Sequence, residues 1–540
     1  MAYLPSNIHK KETKLRETCQ INKDREKIME NITSEKTIIK LDLATLEKKL
    51  WDCADVLRGT LNSTQYMEYI FGMLFLKRIN DQFDEEHADK KIKFKNLPLD
   101  ALEQVLEDPK AYQNFFIPKQ ARWAKFKDMN LNIGAELDKA FKAIEDEPRN
   151  AELVGVLTTA NYNDKERVPD GKLNQLIQIF DSMNLSNEGL ISPDILGDAY
   201  MYLIKKFADD GGQKGGEFYT PTQIKDVMVR LIKPHENLTI YDPCAGSGGF
   251  LVSTIEYVKA QGQNHRNLQL FGQEINLTTW AIAKLNMLLH DVSGATIWKG
   301  DTIRNPQNTD GSVLRTFDMV LSNPPFSLKN WGREVAQKND YGRFNYGVAP
   351  ASYGDLAFVQ HMLASLNTKG IMATVVPHGI LFRGGEEGKI RQGLLEDDLF
   401  EAVIGFPQNL FYGASIPAAV IILNKNKPAD RKGKVLFIEA SQGFIKDGNK
   451  NKLTPENINH IVSAYDAFGY EDKFAIPVTL DDIRRNDYNL NITRYVDTSQ
   501  EEEVVDIEAV IARLSQHETE LAASKATIND FLAQLGFKGI

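Results

Sequence analysis

Hydrophobic residues in residues 41–206 recur every three to four positions, which is the period of an amphipathic helix. In LDLATLEKKLWDCADVLRG, one helical face, ended by Gly59, carries the apolar residues Leu46, Leu50, Cys53, Ala54 and Leu57. The next segment, STQYMEYIFGMLFLKRINDQFDEEH, is apolar almost all round at its centre and predicts a buried helix. We therefore predict a helical N-terminal domain over residues 41–206.

The pattern changes after residue 206 to short apolar runs, each typical of a buried strand. These runs are 238–243, 268–274, 295–301, 317–325, 370–377, 400–407 and 418–425. Helix-like segments lie between most of them, at 249–260, 277–290, 355–367 and 387–397. Strands that alternate with helices predict an α/β fold with a parallel sheet, which we assign to residues 207–480.

The two ends of the chain are more polar than its centre. Residues 1–40 are charged and aperiodic, which predicts either a flexible arm or a basic arm that contacts DNA or a partner. Residues 481–540 form a C-terminal tail with a long helical pattern, in which apolar residues recur at Val504, Ile507, Val510, Ile511 and Leu514. This helix could pack on its own domain or contact another subunit.

Composition and charge narrow the function classes. The net charge of -10 argues against a protein that coats nucleic acid by bulk charge, although a local basic cleft stays compatible with it. The three cysteines are far apart and no Cys/His cluster occurs, so we predict no metal site. Few cysteines, no N-terminal signal region and no apolar run of membrane-spanning length together predict a cytoplasmic protein.

A glycine-rich turn, DPCAGSGGF, follows the first predicted strand. Ligands of doubly wound sheets bind at the carboxyl ends of the strands, and Gly246, Gly248 and Gly249 would let the backbone approach a ligand closely. The spacing matches neither the dinucleotide-binding nor the phosphate-loop pattern, so the ligand need not carry phosphates. A plain strand-to-helix turn is the alternative.

Acidic residues end the first three predicted strands. Glu274, at the end of the second strand, suits hydrogen bonds to both ribose hydroxyls of an adenosine. Asp301, after the third strand, could accept a hydrogen bond from the amino group of an adenine ring. Either could instead be an exposed strand-end carboxylate, but together with Asp242 they put three acids at one edge of the sheet and favour a nucleoside ligand.

The fourth strand ends in SNPPF, where the prolines, which lack an N–H, stop the ladder. The amide oxygen of Asn323 and the carbonyl of Pro324 can accept hydrogen bonds, and Phe326 offers a ring for stacking. This set suits a planar base that carries an amino group. Two acceptors on the amino hydrogens favour a pyramidal nitrogen with a free lone pair, so neither a strong base nor a metal is needed.

These motifs resemble the S-adenosyl-methionine-dependent amino-methyltransferases that act on DNA adenine, and the motif order is that of their gamma group. GGEFYTP, at residues 215–221, resembles the segment that closes over the cofactor. More narrowly, the chain resembles the modification (M) subunit of type I restriction–modification systems from about residue 45 to 535. That resemblance rests on LWDCADVLRG, YIFGMLFLKRI, GEFYTP with DPCAGSGGFL, GQEIN with AKLNMLLH, and NDYNLNITRYV.

The resemblance implies a Rossmann-like methyltransferase domain, preceded by the helical domain and followed by a tail for subunit contact. It implies S-adenosyl-L-methionine as the cofactor and no metal. The cofactor-binding residues would be Glu217, Phe218, Tyr219, Thr220, Pro221 and Thr222 as a cap, Asp242, Ala245, Gly246, Ser247, Gly248 and Gly249 on the methionine side, Glu274 at the ribose and Asp301 at the adenine. The catalytic residues would be Asn323, Pro324, Pro325 and Phe326, with the ring of Phe326 stacked on a flipped base.

The resemblance also implies partners. They are double-stranded DNA, a specificity (S) subunit that reads the target sequence, a restriction-translocase (R) subunit and a second copy of the chain. Two other functions stay open: methylation of RNA or of a protein glutamine amide, and a cofactor-binding scaffold without activity. Phe326 and the large helical domain favour DNA, while the intact NPPF and strand-end acids argue against a scaffold. Arg383 and Lys389 lie in a loop that could contact phosphates or be solvated.

Overall fold

The computed structural model of the protein describes residues 40–59, 61, 63–192, 195–211, 220–290, 292, 294–411, 417–447, 450–498 and 507–540. Nearly all of the predicted N-terminal arm, residues 1–39, lies outside the described residues, and so do Glu217, Phe218 and Tyr219. Among the described helices, none is long and apolar enough to cross a membrane.

The N-terminal part is helical, as predicted. Its helices are α1 (Leu43–Leu57), α2 (Ser63–Lys93), α3 (Leu99–Leu106), α4 (Ile133–Glu145), α5 (Asp170–Asp181) and α6 (Ile195–Gly211). Asp42 caps α1 by accepting a 2.7 Å hydrogen bond from the backbone N–H of Thr45. The buried face of α1 consists of the five predicted residues, Leu46, Leu50, Cys53, Ala54 and Leu57.

Helix α2 is the central element of this part. Its residues 69–80 are buried without interruption, which confirms the prediction from its all-round apolar centre. Helices α1, α5 and α6 pack against it, and so does a later helix of the α/β part. Hydrogen bonds between described residues tie the two parts together. The hydroxyl of Thr278 donates to Glu68 Oε1 over 2.8 Å, and the hydroxyl of Tyr200 donates to the carbonyl of Ile282 over 2.8 Å.

The second part is built on a nine-stranded sheet, and every predicted strand is present in it. The strands in chain order are β1 (Thr239–Asp242), β2 (Gln269–Glu274), β3 (Thr296–Lys299), β4 (Thr309–Asp310), β5 (Val313–Leu314), β6 (Phe317–Ser322), β7 (Leu366–Pro377), β8 (Phe400–Gly405), β9 (Ala418–Asn424), β10 (Lys434–Glu439), β11 (Ile445–Asp447), β12 (Lys450–Lys452) and β13 (Ala475–Thr479). The order across the main sheet is β13-β10-β8-β9-β7-β6-β1-β2-β3, while β4–β5 and β11–β12 form separate antiparallel pairs.

Helices cover both faces of the sheet. The helices of this part are α7 (Thr222–Ile232), α8 (Gly249–Ala260), α9 (Leu277–Leu289), α10 (Arg333–Ala336), α11 (Asp355–Ala364), α12 (Gly385–Glu396), α13 (Pro455–Ala467), α14 (Leu480–Arg485) and α15 (Ile507–Gln534), of which α15 does not pack on the sheet. Successive residues of a strand face opposite sides, so Ile240 joins the core under α7, α8 and α9, and Tyr241 joins the core under α11 and α12. The first core continues without a break into the N-terminal helices.

The prediction of a parallel sheet is wrong for two strands. Strand β9 runs antiparallel between β7 and β8, and β13 runs antiparallel to β10 at the edge, so the sheet is mixed. Strand β9 pairs directly with β8, and residues 406–411 of the connection between them contain no helix. Antiparallel neighbours can be joined by a short connection, whereas parallel neighbours need a long crossover.

The C-terminal helix is present as predicted. No residue of α15 is buried, and its large apolar side chains face solvent. An amphipathic helix that packs on its own domain would bury its apolar face, so α15 is available to another chain.

Candidate active site

The carboxyl ends of β1, β2 and β6 meet at one edge of the sheet, where a cleft opens. Its lining residues are Thr220, Lys225, Asp242, Cys244, Ala245, Gly246, Ser247, Gly249, Phe250 and Asn323. The structure thus gathers residues from three predicted motifs, which are far apart in the sequence, around one space.

The glycine turn between β1 and α8 adopts a backbone that only glycine takes easily. Gly246 has a φ of 53° and Gly248 a φ of 79°, both in the left-handed region. A Cβ on Gly248 would also lie 3.1 Å from Met287 Cε of α9. The buried amide of Asn286, one residue earlier on α9, donates a 2.8 Å hydrogen bond to the carbonyl of Ser247. Helix α9 therefore holds the turn in place.

Asp242, the last residue of β1, is 1% exposed and has only one of its carboxylate oxygens engaged. Its Oδ1 accepts hydrogen bonds from the hydroxyl of Ser322 over 2.7 Å and from the backbone N–H of Cys244 over 3.0 Å. Its Oδ2 is buried and has no partner among the described residues. Burial raises the pKa of the Asp242 carboxyl to about 7. A buried oxygen without a partner requires a donor, and a cationic amine would supply one.

Glu274, at the end of β2, is tied to the glycine turn. Its Oε2 accepts a 2.9 Å hydrogen bond from the N–H of Gly246, and its Oε1 accepts a 2.8 Å bond from the N–H of Asn276. Burial raises the pKa of this carboxyl, while the backbone hydrogen bonds act in the opposite direction. Each oxygen keeps acceptor capacity for a further donor such as a hydroxyl.

Asp301 has a local partner that the sequence did not suggest. Its Oδ1 accepts 2.9 Å hydrogen bonds from the N–H groups of Ile303 and Arg304, and its Oδ2 pairs with Arg304 Nη1 at 3.0 Å. Asp301 therefore caps the turn after β3 and is not among the residues that line the cleft. Its assignment to an adenine ring stays a prediction.

Asn323 has a defined orientation after β6. Its Nδ2 donates a 3.1 Å hydrogen bond to Thr220 Oγ1, while its Oδ1 is buried without a partner among the described residues. Pro324 is buried and Pro325 is exposed. Phe326 is half-buried and meets Phe411 edge-on, with ring centroids 5.9 Å apart. The amide thus presents an acceptor and not a donor.

Thr220, Pro221 and Thr222 start the α/β part beside the cleft. Pro221 is buried and immediately precedes α7, of which Thr222 is the first residue. Thr220 lines the cleft and accepts the hydrogen bond from Asn323, so it joins the predicted cofactor cap to the predicted catalytic motif.

The loop after the motif is held by a buried carboxylate. Asp355, the first residue of α11, accepts a 2.7 Å hydrogen bond from the N–H of Ser327 and has Arg383 Nη2 at 3.5 Å from its other oxygen. Arg383 also pairs with the buried Glu387, so its guanidinium has two carboxylate neighbours within the protein. Lys389 is exposed.

Three residues that sequence reasoning missed contribute to this site: Lys225, Asn286 and Ser322. Only Lys225 had a sequence signal, because it stands among the apolar residues Ile224, Val227 and Met228 on the buried side of α7. Burial and the carboxylate of Asp242 raise the pKa of the Cys244 thiol, so this cysteine is no nucleophile. No cluster of metal-ligating side chains occurs in the described ranges.

The mixed sheet, the glycine turn after its first strand and the Asn-Pro-Pro-Phe sequence after its fourth define the class of S-adenosyl-methionine-dependent amino-methyltransferases. Comparison with known proteins agrees with this class. A model of the N-6 DNA Methylase family matches residues 191–504, and a model of the HsdM N-terminal domain matches residues 46–180. The chain belongs to the family of methylase subunits of type I restriction enzymes.

Similar proteins include two curated subunits and one solved structure. The type I restriction enzyme MpnII methylase subunit of Mycoplasma pneumoniae is 31% identical, over 86% of this chain and 91% of its own length. The HindI methylase subunit of Haemophilus influenzae is 32% identical, over 78% of this chain and 100% of its own length. The crystal structure of a type I methyltransferase subunit from Streptococcus thermophilus has a TM-score of 0.73 at 32% identity, and covers 85% of this chain and 100% of that one.

Membership of this family establishes the activity. The chain is an adenine-specific DNA methyltransferase subunit, and its methyl donor is S-adenosyl-methionine. Two features of the cleft suit this methyl donor. The glycine turn leaves the backbone open to a ligand, and the unpaired Oδ2 of Asp242 suits the ammonium group of the methionyl part.

Proposed function

We propose that the cleft between Thr220, Asp242 and Asn323 is the place where the methyl group is transferred to the N6 amino group of an adenine extruded from duplex DNA. Asn323, Pro324, Pro325 and Phe326 are its base-binding residues. The observation that carries this proposal is the Oδ1 atom of Asn323, which is buried and unpaired at the edge of the cleft. A buried acceptor of this kind costs free energy unless a ligand donor satisfies it.

The amide is oriented for this role by its neighbour. Because Thr220 Oγ1 takes up the Nδ2 group, the side chain of Asn323 turns its oxygen, and not its nitrogen, toward an incoming amino group. The donor supplies an electrophilic methyl group on its sulfonium. Asn323 Oδ1 and the carbonyl of Pro324 accept hydrogen bonds from the adenine amino hydrogens, which leaves the nitrogen lone pair free for attack. Phe326, supported by Phe411, stacks on the base.

The cofactor residues follow from the same geometry. We assign Asp242 to the ammonium group of the methionyl part, because its Oδ2 is unpaired, and Glu274 to the ribose hydroxyls, because its oxygens keep acceptor capacity. Ala245, Gly246, Ser247, Gly248 and Gly249 form the backbone cradle. Asp301 would contact the adenine ring next to its ion pair with Arg304. We keep Thr220, Pro221 and Thr222 as cap residues, and the predicted cap residues Glu217, Phe218 and Tyr219 lie outside the described residues.

We also propose that the chain acts within a complex. Its relatives are named as subunits of restriction enzymes. We therefore expect a specificity subunit that selects the DNA site, a restriction-translocase subunit and a second copy of the chain, all in the cytoplasm, where DNA is found. The division into an arm (1–40), a helical domain (41–206), a methyltransferase domain (207–480) and a tail (481–540) is part of this proposal.

Helix α15 supports a role in assembly. Ile507, Leu514, Leu521, Ile528 and Leu535 follow one another at intervals of seven residues, and each is at least 44% exposed. A heptad repeat of apolar residues is the pattern of a helix that packs against another helix. We therefore place the contact with the specificity subunit on this seam.

The test is methyl transfer by the intact complex. Radiolabelled S-adenosyl-methionine and unmethylated DNA are given to the chain alone and to the chain co-purified with its specificity subunit, and the product nucleosides are separated. We expect N6-methyladenine from the complex, and a loss of about 100-fold or more with Asn323→Ala, as for other groups that act in the transition state. Asn305→Ala, an exposed asparagine outside the cleft, is the control. Undiminished transfer by Asn323→Ala would refute the assignment.

A further inference from the structure

Asp355 is a buried carboxylate that contacts the chain directly after the base-binding motif. It is the first residue of α11 and is 3% exposed. Its Oδ1 accepts a 2.7 Å hydrogen bond from the backbone N–H of Ser327, the residue that follows Phe326. Gly354, the residue before it, donates a 3.1 Å hydrogen bond from its own N–H to the carbonyl of Leu328. The start of α11 therefore holds the chain at two successive residues after the motif.

The hydrogen bond to Ser327 also restrains the backbone of Phe326. The C=O of one residue and the N–H of the next belong to the same planar peptide group. A contact that fixes the N–H of Ser327 therefore restrains the ψ angle of Phe326, and with it the direction of the ring. Ser327 has a φ of 50°, in the left-handed region, which a residue with a Cβ keeps only where its surroundings compensate the cost. Asp355 provides such a contact.

Arg383 lies between Asp355 and a second buried carboxylate. Its Nη2 is 3.5 Å from Asp355 Oδ2, and its guanidinium pairs through two nitrogens with Glu387 on α12. The ring of Tyr353 lies against the same guanidinium, with its centroid 4.4 Å from Cζ. Burial raises the pKa of Asp355, and Arg383 acts in the opposite direction. The arginine thus favours the charged carboxylate, which is the stronger acceptor for the N–H of Ser327.

We propose that Asp355 is a positioning residue for methyl transfer, which holds the peptide group between Phe326 and Ser327 so that the ring of Phe326 is directed at the extruded adenine. This inference rests on the proposed function and adds to it a residue that does not line the cleft. A ring that is held before the base arrives loses less freedom when the base binds. A small misplacement of the base, in turn, slows its reaction with the methyl donor.

The experiment is a double-mutant cycle on the full-length chain in complex with its specificity subunit. Single-turnover methyl transfer to unmethylated DNA is measured at saturating S-adenosyl-methionine for Asp355→Ala, for Phe326→Ala and for the two combined. We expect Asp355→Ala to slow transfer about 10- to 100-fold, as a misplacement near 1 Å can do. The combined variant should be within about twofold of Phe326→Ala alone, because Asp355 acts through that ring.

Further variants separate positioning from folding. Asp170 is also the first residue of a helix, α5, and its Oδ1 accepts a 3.0 Å hydrogen bond from the N–H of Ile133 in the N-terminal part. Asp170→Ala makes the same chemical change there and should leave the rate unchanged. Asp355→Asn keeps an oxygen that can accept from Ser327, so it should recover most of the rate that Asp355→Ala loses. The KM for S-adenosyl-methionine should be the same in every variant.

The outcomes distinguish this inference from the proposed function. Losses that multiply in the combined variant would overturn the role of Asp355, because a residue that only stabilises the fold acts independently of Phe326. An unchanged rate in Asp355→Ala would overturn it as well, while loss of transfer in Asn323→Ala would leave the proposed function standing. Full transfer by Asn323→Ala would instead overturn the proposed function. A combined loss no greater than that of Phe326→Ala, with recovery in Asp355→Asn, supports the positioning role.

Discussion

Asp242 is held by only one of its two carboxylate oxygens, and this makes cofactor binding dependent on pH. Burial raises the pKa of the carboxyl from 3.8 to about 7, so much of the free protein carries a proton there below neutral pH. A cationic ammonium ligand favours the carboxylate form and lowers that pKa. The other titratable groups at the cleft are Glu274, which burial also keeps more protonated, the neutral thiol of Cys244, and Lys225.

We predict that S-adenosylhomocysteine binding releases a proton from Asp242 near pH 6.5. The affinity should rise with pH up to about 7 and then level off, because the carboxylate is by then formed before binding. Calorimetry in two buffers of different ionisation enthalpy measures the proton directly. Asp242→Asn should bind more weakly and release no proton. Proton release that persists in this variant would assign the effect to another group.

Some residues of the site could be predicted from the sequence, and others could not. Asp242, Gly246 and Asn323 stand at strand ends or turns, where an apolar run gives way to polar residues, so their position in the fold follows from the local pattern. Asn286 and Ser322 act on residues that are distant in sequence, and only the tertiary structure brings them together. Arg304 forms its ion pair with Asp301 through a turn that no periodicity reveals.

At the scale of elements, the join between β1 and α8 depends on crowding as well as on backbone conformation. Gly248 and Gly262 have similar φ values of 79° and 72°. A Cβ on Gly248 would press on Met287, whereas a Cβ on Gly262 would meet no atom within 4 Å. The two glycines therefore form a matched pair in which only one site is crowded.

We predict that Gly262→Ala costs about 1 kcal/mol, the cost of a left-handed backbone in a residue with a Cβ, with no effect on ligand binding. Gly248→Ala should cost more and should also weaken S-adenosylhomocysteine binding, because the displaced α9 side chain belongs to the helix that holds the turn. Thermal unfolding and calorimetry measure the two effects. Equal costs for both variants would show that the contact with Met287 is not limiting.

The sequence predicts where the strands lie but not the direction in which each strand runs in the sheet. All seven strands that were predicted from apolar runs bounded by turn residues are present in the sheet. A strand that is buried on both faces needs apolar residues at successive positions, so it is visible in the sequence. The antiparallel direction of β9 is not visible in its sequence. A fully buried strand reads the same in either direction, and only the connection and the neighbouring strands decide it.

At the scale of the whole molecule, α15 lies outside the folded body. It buries none of its residues, so its removal should not change the melting temperature of the isolated chain. Its apolar seam should instead determine assembly. Changes in this tail should therefore alter subunit association without altering the stability of the folded chain.

We predict that deleting residues 500–540 abolishes co-purification with the specificity subunit, and that Leu514→Ser with Leu521→Ser greatly weakens it, because both residues lie on the seam. Gln516→Ser with Thr519→Ser alters the same helix on the side opposite the seam and should retain binding. Pull-down and analytical ultracentrifugation measure the association. Binding that survives the deletion would place the contact elsewhere on the chain.

The apolar core that runs from α1 through α2 and α9 to one face of the sheet has a thermodynamic consequence. Residues on either side of the boundary between the two parts share one packed interior, and the hydrogen bonds of Thr278 and Tyr200 cross it. The helical part and that face of the sheet should therefore melt in a single calorimetric transition. Amide protons of α2 and β1 should then exchange through the same global unfolding event. A cavity made at the buried Phe71 would therefore lower the fraction of molecules in which the methyl-transfer cleft is folded.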